Sequence, residues 1–144
     1  MKKIIFVFMF LNSYLIEAQI RKIYVGKIDS VVIKKYSYFD KETSTINETL
    51  EKNKTTLSYS RKLKLIEINK LNKKIKSTKS YSLKRALLSH FDIKIIYYLN
   101  NKIPQNITYS SVTKNITIFR SDTCVFKGQI NPYLENEITK ISFN

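Results

Sequence analysis

Phe91-Asp92-Ile93-Lys94-Ile95-Ile96-Tyr97-Tyr98-Leu99 is the stretch whose reading decides the fold. Its odd positions, Phe91, Ile93, Ile95, Tyr97 and Leu99, are all apolar or aromatic. Successive side chains of a strand point to opposite faces, so these five make one continuous apolar face. The even positions, Asp92, Lys94, Ile96 and Tyr98, are mixed. A strand with one buried and one partly wet face is the habit of an antiparallel sheet.

Downstream, Asn100-Asn101-Lys102 supplies turn residues that tolerate positive φ, and Pro104 marks a place where pairing is on an edge or has not begun. Ile107 and Tyr109 alternate on a second strand, 112–115 turns, and Ile116-Thr117-Ile118-Phe119 is a third. Ser121-Asp122 turns into Cys124-Val125-Phe126, and Lys127-Gly128 closes that hairpin, giving a meander with short connections. Asn131 as N-cap with Pro132 at the first helical position opens a closing helix, on which Leu134, Ile138 and Ile141 face inward.

Upstream, residues 20–38 are rich in β-branched and aromatic types and read as one long or two short strands, broken near Gly26. Residues 40–56 are polar and read as a loop or short exposed hairpin. Over 60–77, Leu65, Ile68, Leu71 and Ile75 are spaced for one helix face with lysines around the rest, and Ser58 or Ser60 is available as cap. Leu57, Tyr59, Leu63 and Leu65 also alternate, so 57–65 fits equally a strand that runs into the helix. A shorter helical turn is expected at 82–89. A basic amphipathic helix can lie on an anionic membrane, but an antiparallel sheet needs a cover, and the stripe over 60–77 is read as that cover. The expected fold is α+β: an antiparallel β-meander sheet of four to six strands covered by one amphipathic helix, with a short C-terminal helix closing an edge.

The chain opens with Lys2 and Lys3, an apolar run from Ile4 to Leu11, and a polar stretch ending in Glu17-Ala18-Gln19. A basic start, an apolar core too short to cross a bilayer and a small residue at the end describe a cleaved secretory signal. Residues 1–18 are therefore expected to be a signal peptide, and residues 19–144 a single domain, periplasmic or secreted after cleavage near Ala18. Membrane association is expected only through the uncleaved signal. The single cysteine, Cys124, forms no internal disulfide and, in Cys124-Val125-Phe126, reads as a small buried hydrophobe.

A signal ending in Ala18-Gln19, a helix carrying Leu71-Asn72, the strand and turn from Asp92 to Lys102, and a late hairpin around Phe126-Lys127-Gly128 resemble the small uncharacterised exported proteins of Bacteroidota. The resemblance implies a bacterial origin and an α+β shape, and it lends no activity.

Net charge is +15, carried by 22 lysines and only four arginines, Arg21, Arg61, Arg85 and Arg120. Such a charge points to acidic partners, while the abundance of Lys, Ile and Asn is also what an AT-rich genome imposes. His90 is the only histidine, so any triad or dyad passes through it, with Ser89, Asp92 or Cys124. One Cys and one His make a poor zinc set, and two glycines, Gly26 and Gly128, leave no phosphate-cradling loop. The expectation is no enzyme, no cofactor, no metal and no nucleotide. Four sequons, at Asn47, Asn53, Asn106 and Asn115, are chance in an Asn- and Thr-rich bacterial chain.

Lysine and tyrosine interleave at Lys34-Lys35-Tyr36-Ser37-Tyr38 and again from Lys94 to Tyr98. Lys34, Tyr36, Tyr38, Lys94 and Tyr98 are thus the candidate binding surface, against the plainer reading that tyrosine is simply a good strand former. The functional expectation is a non-catalytic binding module for a protein or envelope component. The alternatives are a basic surface that holds an acidic polymer or anionic lipid, and an inhibitor or immunity-type protein.

Overall fold

The computed structural model describes residues 27–38, 55–82, 84, 91–100, 102–121 and 123–143. The expected signal, the break at Gly26, most of the polar segment 40–56 and the helical turn at 82–89 lie outside the described residues, apart from Ser82 and Lys84.

Seven strands form one sheet: β1 (Ile28–Tyr38), β2 (Thr55–Lys62), β3 (Tyr81–Ser82), β4 (Ile93–Leu99), β5 (Lys102–Tyr109), β6 (Asn115–Arg120) and β7 (Thr123–Ile130). Their order is β2-β1-β4-β5-β6-β7-β3, with every pair antiparallel. The α+β meander is therefore the fold, with β4 inside the sheet between β1 and β5. The count exceeds the expected four to six because Tyr81-Ser82 adds an edge strand and 55–62 is strand rather than loop or helix.

On β4 the alternation does what the side-chain geometry requires. Ile93, Ile95, Tyr97 and Leu99 are buried, Ile96 is partly exposed and Tyr98 is exposed. Ile95 lies between Ile33 and Ile107 in register, and Ile107 in turn opposes Ile118, so one apolar row crosses four strands. Pro104 is tolerated inside the sheet because it lies beyond the last β5–β6 pair, Gln105 with Arg120, and in the register shift between Tyr97 and Leu99 of β4.

Two helices cover this row. α1 (Leu65–Ile75) buries Ile68, Leu71 and Ile75, while Leu65 is exposed. The helix thus starts five residues later than the spacing predicts, and neither Ser58 nor Ser60 caps it. Both serines are on β2, where Ser58 meets the Ser37 hydroxyl. The cap comes from inside the first turn: the Glu67 carboxylate accepts the Lys64 N–H at 2.8 Å. The alternation of Leu57, Tyr59 and Leu63 prevails over the helical period because the β1 edge is there to pair with it, down to the bond from Leu63 N–H to the Val31 carbonyl at 2.8 Å.

After α1 a short 3₁₀ turn (Thr78–Ser80) delivers the chain to β3 at the far edge, so α1 crosses the sheet from the β2 side to the β3 side. α2 (Pro132–Phe143) returns across it, burying Leu134, Ile138 and Ile141 as expected. It starts where the Asn131 N–H bonds the Ser80 carbonyl at 2.8 Å, and its end reaches Arg61 of β2, which donates to the Ile141 carbonyl at 2.9 Å. α2 therefore lies antiparallel beside α1 on the same face instead of closing an edge. An ion pair between Lys74 and Glu137 at 3.0 Å joins the two helices. Asn131 occupies the cap position, yet its amide is used elsewhere, donating to the Lys79 and Tyr81 carbonyls at 3.2 and 3.1 Å.

β7 does not end at a Lys127-Gly128 turn. Gly128 opposes Ile116 in mid-strand, and a Cβ there would stand 2.8 Å from Cζ of Phe126. The glycine leaves room for the Phe126 ring, which meets Tyr81 edge to face at 4.7 Å. Cys124 is exposed rather than buried, because the register shift of β7 next to Phe119 turns the local alternation.

Candidate functional site

With both helices on the Ile95 side, no described element covers the other face. Its composition follows from register. Lys34 and Lys94 are direct partners on β1 and β4, and the same row continues through Thr108 and Thr117 to Lys127, and in the other direction to Ser60. The neighbouring row is Lys62, Val32, Ile96, Asn106, Phe119 and Cys124. A lysine and hydroxyl row therefore runs across six strands beside a largely apolar one, about 7 Å away along the strands.

Lys34 and Lys94 are partly buried, and their Cβ atoms as direct cross-strand partners stand about 5 Å apart. Like charges in that position destabilise a sheet unless a counter-charge is near. Four of the five described carboxylates are committed elsewhere. Glu67 accepts from both terminal nitrogens of Arg61 at 2.8 and 2.9 Å, Glu137 pairs with Lys74, and Glu135 with Lys114 at 2.5 Å. Asp92 accepts the Ser111 N–H at 2.7 Å and its hydroxyl at 2.5 Å, and the remaining carboxylate, Asp29, lies where β1 slips register against β4. Among the described residues none of Lys34, Lys62, Lys94 and Lys127 has an ion pair.

The contrast with Arg61 is instructive. Its guanidinium holds the Glu67 carboxyl at about 2, chiefly through the two hydrogen bonds, with burial opposing them. That pair fixes the start of α1 and, through the Ile141 carbonyl, the end of α2. Among the described residues Arg61 is the arginine with this kind of contact, and its role there is structural, whereas the described lysines of the open face have no such ion pair.

Of the five residues singled out from the sequence, Lys34 and Lys94 are brought together directly. Tyr98 is exposed on the same face, opposite Ser30, four residues along β4 from Lys94. Tyr36 leans away from a binding role: it is partly buried, with its ring edge to face against Phe91 at 5.9 Å. Tyr38 ends β1 opposite Thr55. Lys127 and Thr117 were not legible as site residues, because only the partner strands put them in line with Lys34 and Lys94, and Lys62 comes into the neighbouring row in the same way.

Ser89 and His90 lie outside the described residues, and no group of three or more His, Cys, Asp or Glu side chains comes together among the described ones. No described helix is long and apolar enough to cross a membrane. Comparison of the chain with protein-family models, with curated proteins and with solved structures finds no match.

Proposed function

We propose that this protein is a non-catalytic binding module that holds its partner on the sheet face that no described element covers, and that it does so outside the cytoplasm after loss of residues 1–18. The observation that carries the reading is the Lys34–Lys94 pair: two partly buried lysines directly opposite each other on adjacent strands, with no carboxylate paired to either among the described residues. An arrangement that weakens the free sheet is relieved when an anionic group docks between the lysines.

Lysine footprinting tests it. The purified protein is acetylated under native conditions with and without an envelope extract, and modification is read by peptide mass spectrometry. Protection of Lys34 and Lys94, with Lys70 and Lys73 of α1 unchanged, supports the reading. Protection confined to the helix lysines, or none, overturns it. Export has its own test: the protein from its native host should begin at Gln19, and an intact Met1 in the cytoplasmic fraction would refute it.

A further inference from the structure

We infer that the ligand of this face is an extended acidic polysaccharide, laid across the strands along Ser60, Lys34, Lys94, Thr108, Thr117 and Lys127. The inference rests on the binding-module reading above and narrows it to one chemistry. At about 4.8 Å per strand step the track is about 24 Å long from β2 to β7, and about 19 Å separates Lys34 from Lys127. Charge sits toward both ends, with a hydroxyl stretch between. Thr108 is only 6 % exposed, so Thr117 and Ser60 offer the more accessible hydroxyls.

Four features favour a sugar chain over other anionic partners. Lysine presents a point charge on a flexible stem, which suits anionic groups spaced along an extended chain, whereas the bidentate grip on a single carboxylate or phosphate belongs to arginine. Lysine is depleted from the cores of protein interfaces, whereas here Lys34 and Lys94 occupy adjacent interior strands of the sheet. A sheet of seven strands turns by about 20–25° per strand, so a track across it follows a twisted path that a linear chain can trace and a flat bilayer cannot. Single-stranded nucleic acid wants successive aromatic rings along its path, and this track carries threonines there, while Phe119 and Tyr98 of the same face lie off it on different strands.

The test measures binding of fluorescent oligogalacturonate by anisotropy at several salt concentrations, beside labelled poly(dT) and phosphatidylglycerol vesicles. The native protein should bind the uronate chain most tightly, with affinity falling as salt rises. Lys34→Gln with Lys94→Gln should weaken binding by about 10- to 30-fold and flatten the salt dependence, while Lys70→Gln with Lys73→Gln should stay within about twofold. Lys127→Gln, at the far end of the track, should weaken it by about fivefold and covers the case in which the first pair fails to fold. Equal losses in the two double variants, tighter binding of poly(dT) or vesicles, or no binding of the uronate chain would overturn the inference. If no uronate binds yet footprinting protects Lys34 and Lys94, the polysaccharide falls and the binding face stands; if footprinting is also blank, both fall.

Discussion

Ile95 and Ile96 are the same residue type on adjacent positions of β4, and truncating each to Ala asks directly which face of the sheet the helices cover. Ile95 is fully buried under the helix layer, between Ile33 and Ile107, while Ile96 is partly exposed between Val32 and Asn106. Removing three carbons from Ile95 forfeits about 2.4 kcal/mol of transfer free energy, and the cavity left among close-packed neighbours raises the loss to about 3–5 kcal/mol. At Ile96 the partial exposure limits the loss to about 1 kcal/mol, part of it the lower strand propensity of alanine. Urea unfolding at fixed pH, with a common m-value, should place the Ile95→Ala midpoint well below that of Ile96→Ala. On heating, the same difference of about 2–4 kcal/mol should separate the melting temperatures by roughly 3–5 °C per kcal/mol. Equal losses, or a larger one at Ile96, would refute the assignment of the helices to the Ile95 side, and the open-face site would fall with it.

Three further predictions follow from single contacts. Glu67 has its carboxyl depressed to about 2 in the fold against about 4.5 unfolded, so its contribution is fully present above about pH 4.5 and is lost as pH falls toward 2; Glu67→Gln should cost about 1–2 kcal/mol at pH 7 and next to nothing near pH 2, and a pH-independent difference would refute the ion pair as its cause. Lys94→Gln relieves the like-charge partner of Lys34 and should raise stability by about 0.2–1 kcal/mol at low salt, a gain that shrinks at high salt; a loss at low salt would show that a counter-charge is present. Cys124 is exposed, so one equivalent of a thiol reagent should react in native buffer at a rate that denaturant does not greatly increase, and a thiol titratable only on unfolding would place it in the core.

Much of this molecule is written in local pattern. The period-two run from Ile93 to Leu99 decided that β4 is an antiparallel strand and which side of it is buried, because side-chain direction alternates whatever the partner strand. Asn131 followed by Pro132, with Leu134, Ile138 and Ile141 at helical spacing, decided α2 and its inward face for the same local reason. Segment 57–65 was undecidable in sequence, since its apolar residues satisfy both periods, and only the edge of β1 settled 57–62 as strand, with α1 starting at Leu65. Gly128 was misread as a turn because the ring it accommodates, that of Phe126, reveals itself only when β7 pairs with β6 and Tyr81 packs above it. The site divides in the same way. Alternation put Lys94 on the mixed side of its own strand, but register is a relation between strands, and β1 and β4 are separated by α1 and two other strands in the chain. That Lys34 faces Lys94, and that Lys127 lies in line with them while four of the five described carboxylates pair on the helix side or hold turns, was decided by the tertiary structure, because charge proximity depends on distance across the sheet and not on distance along the chain.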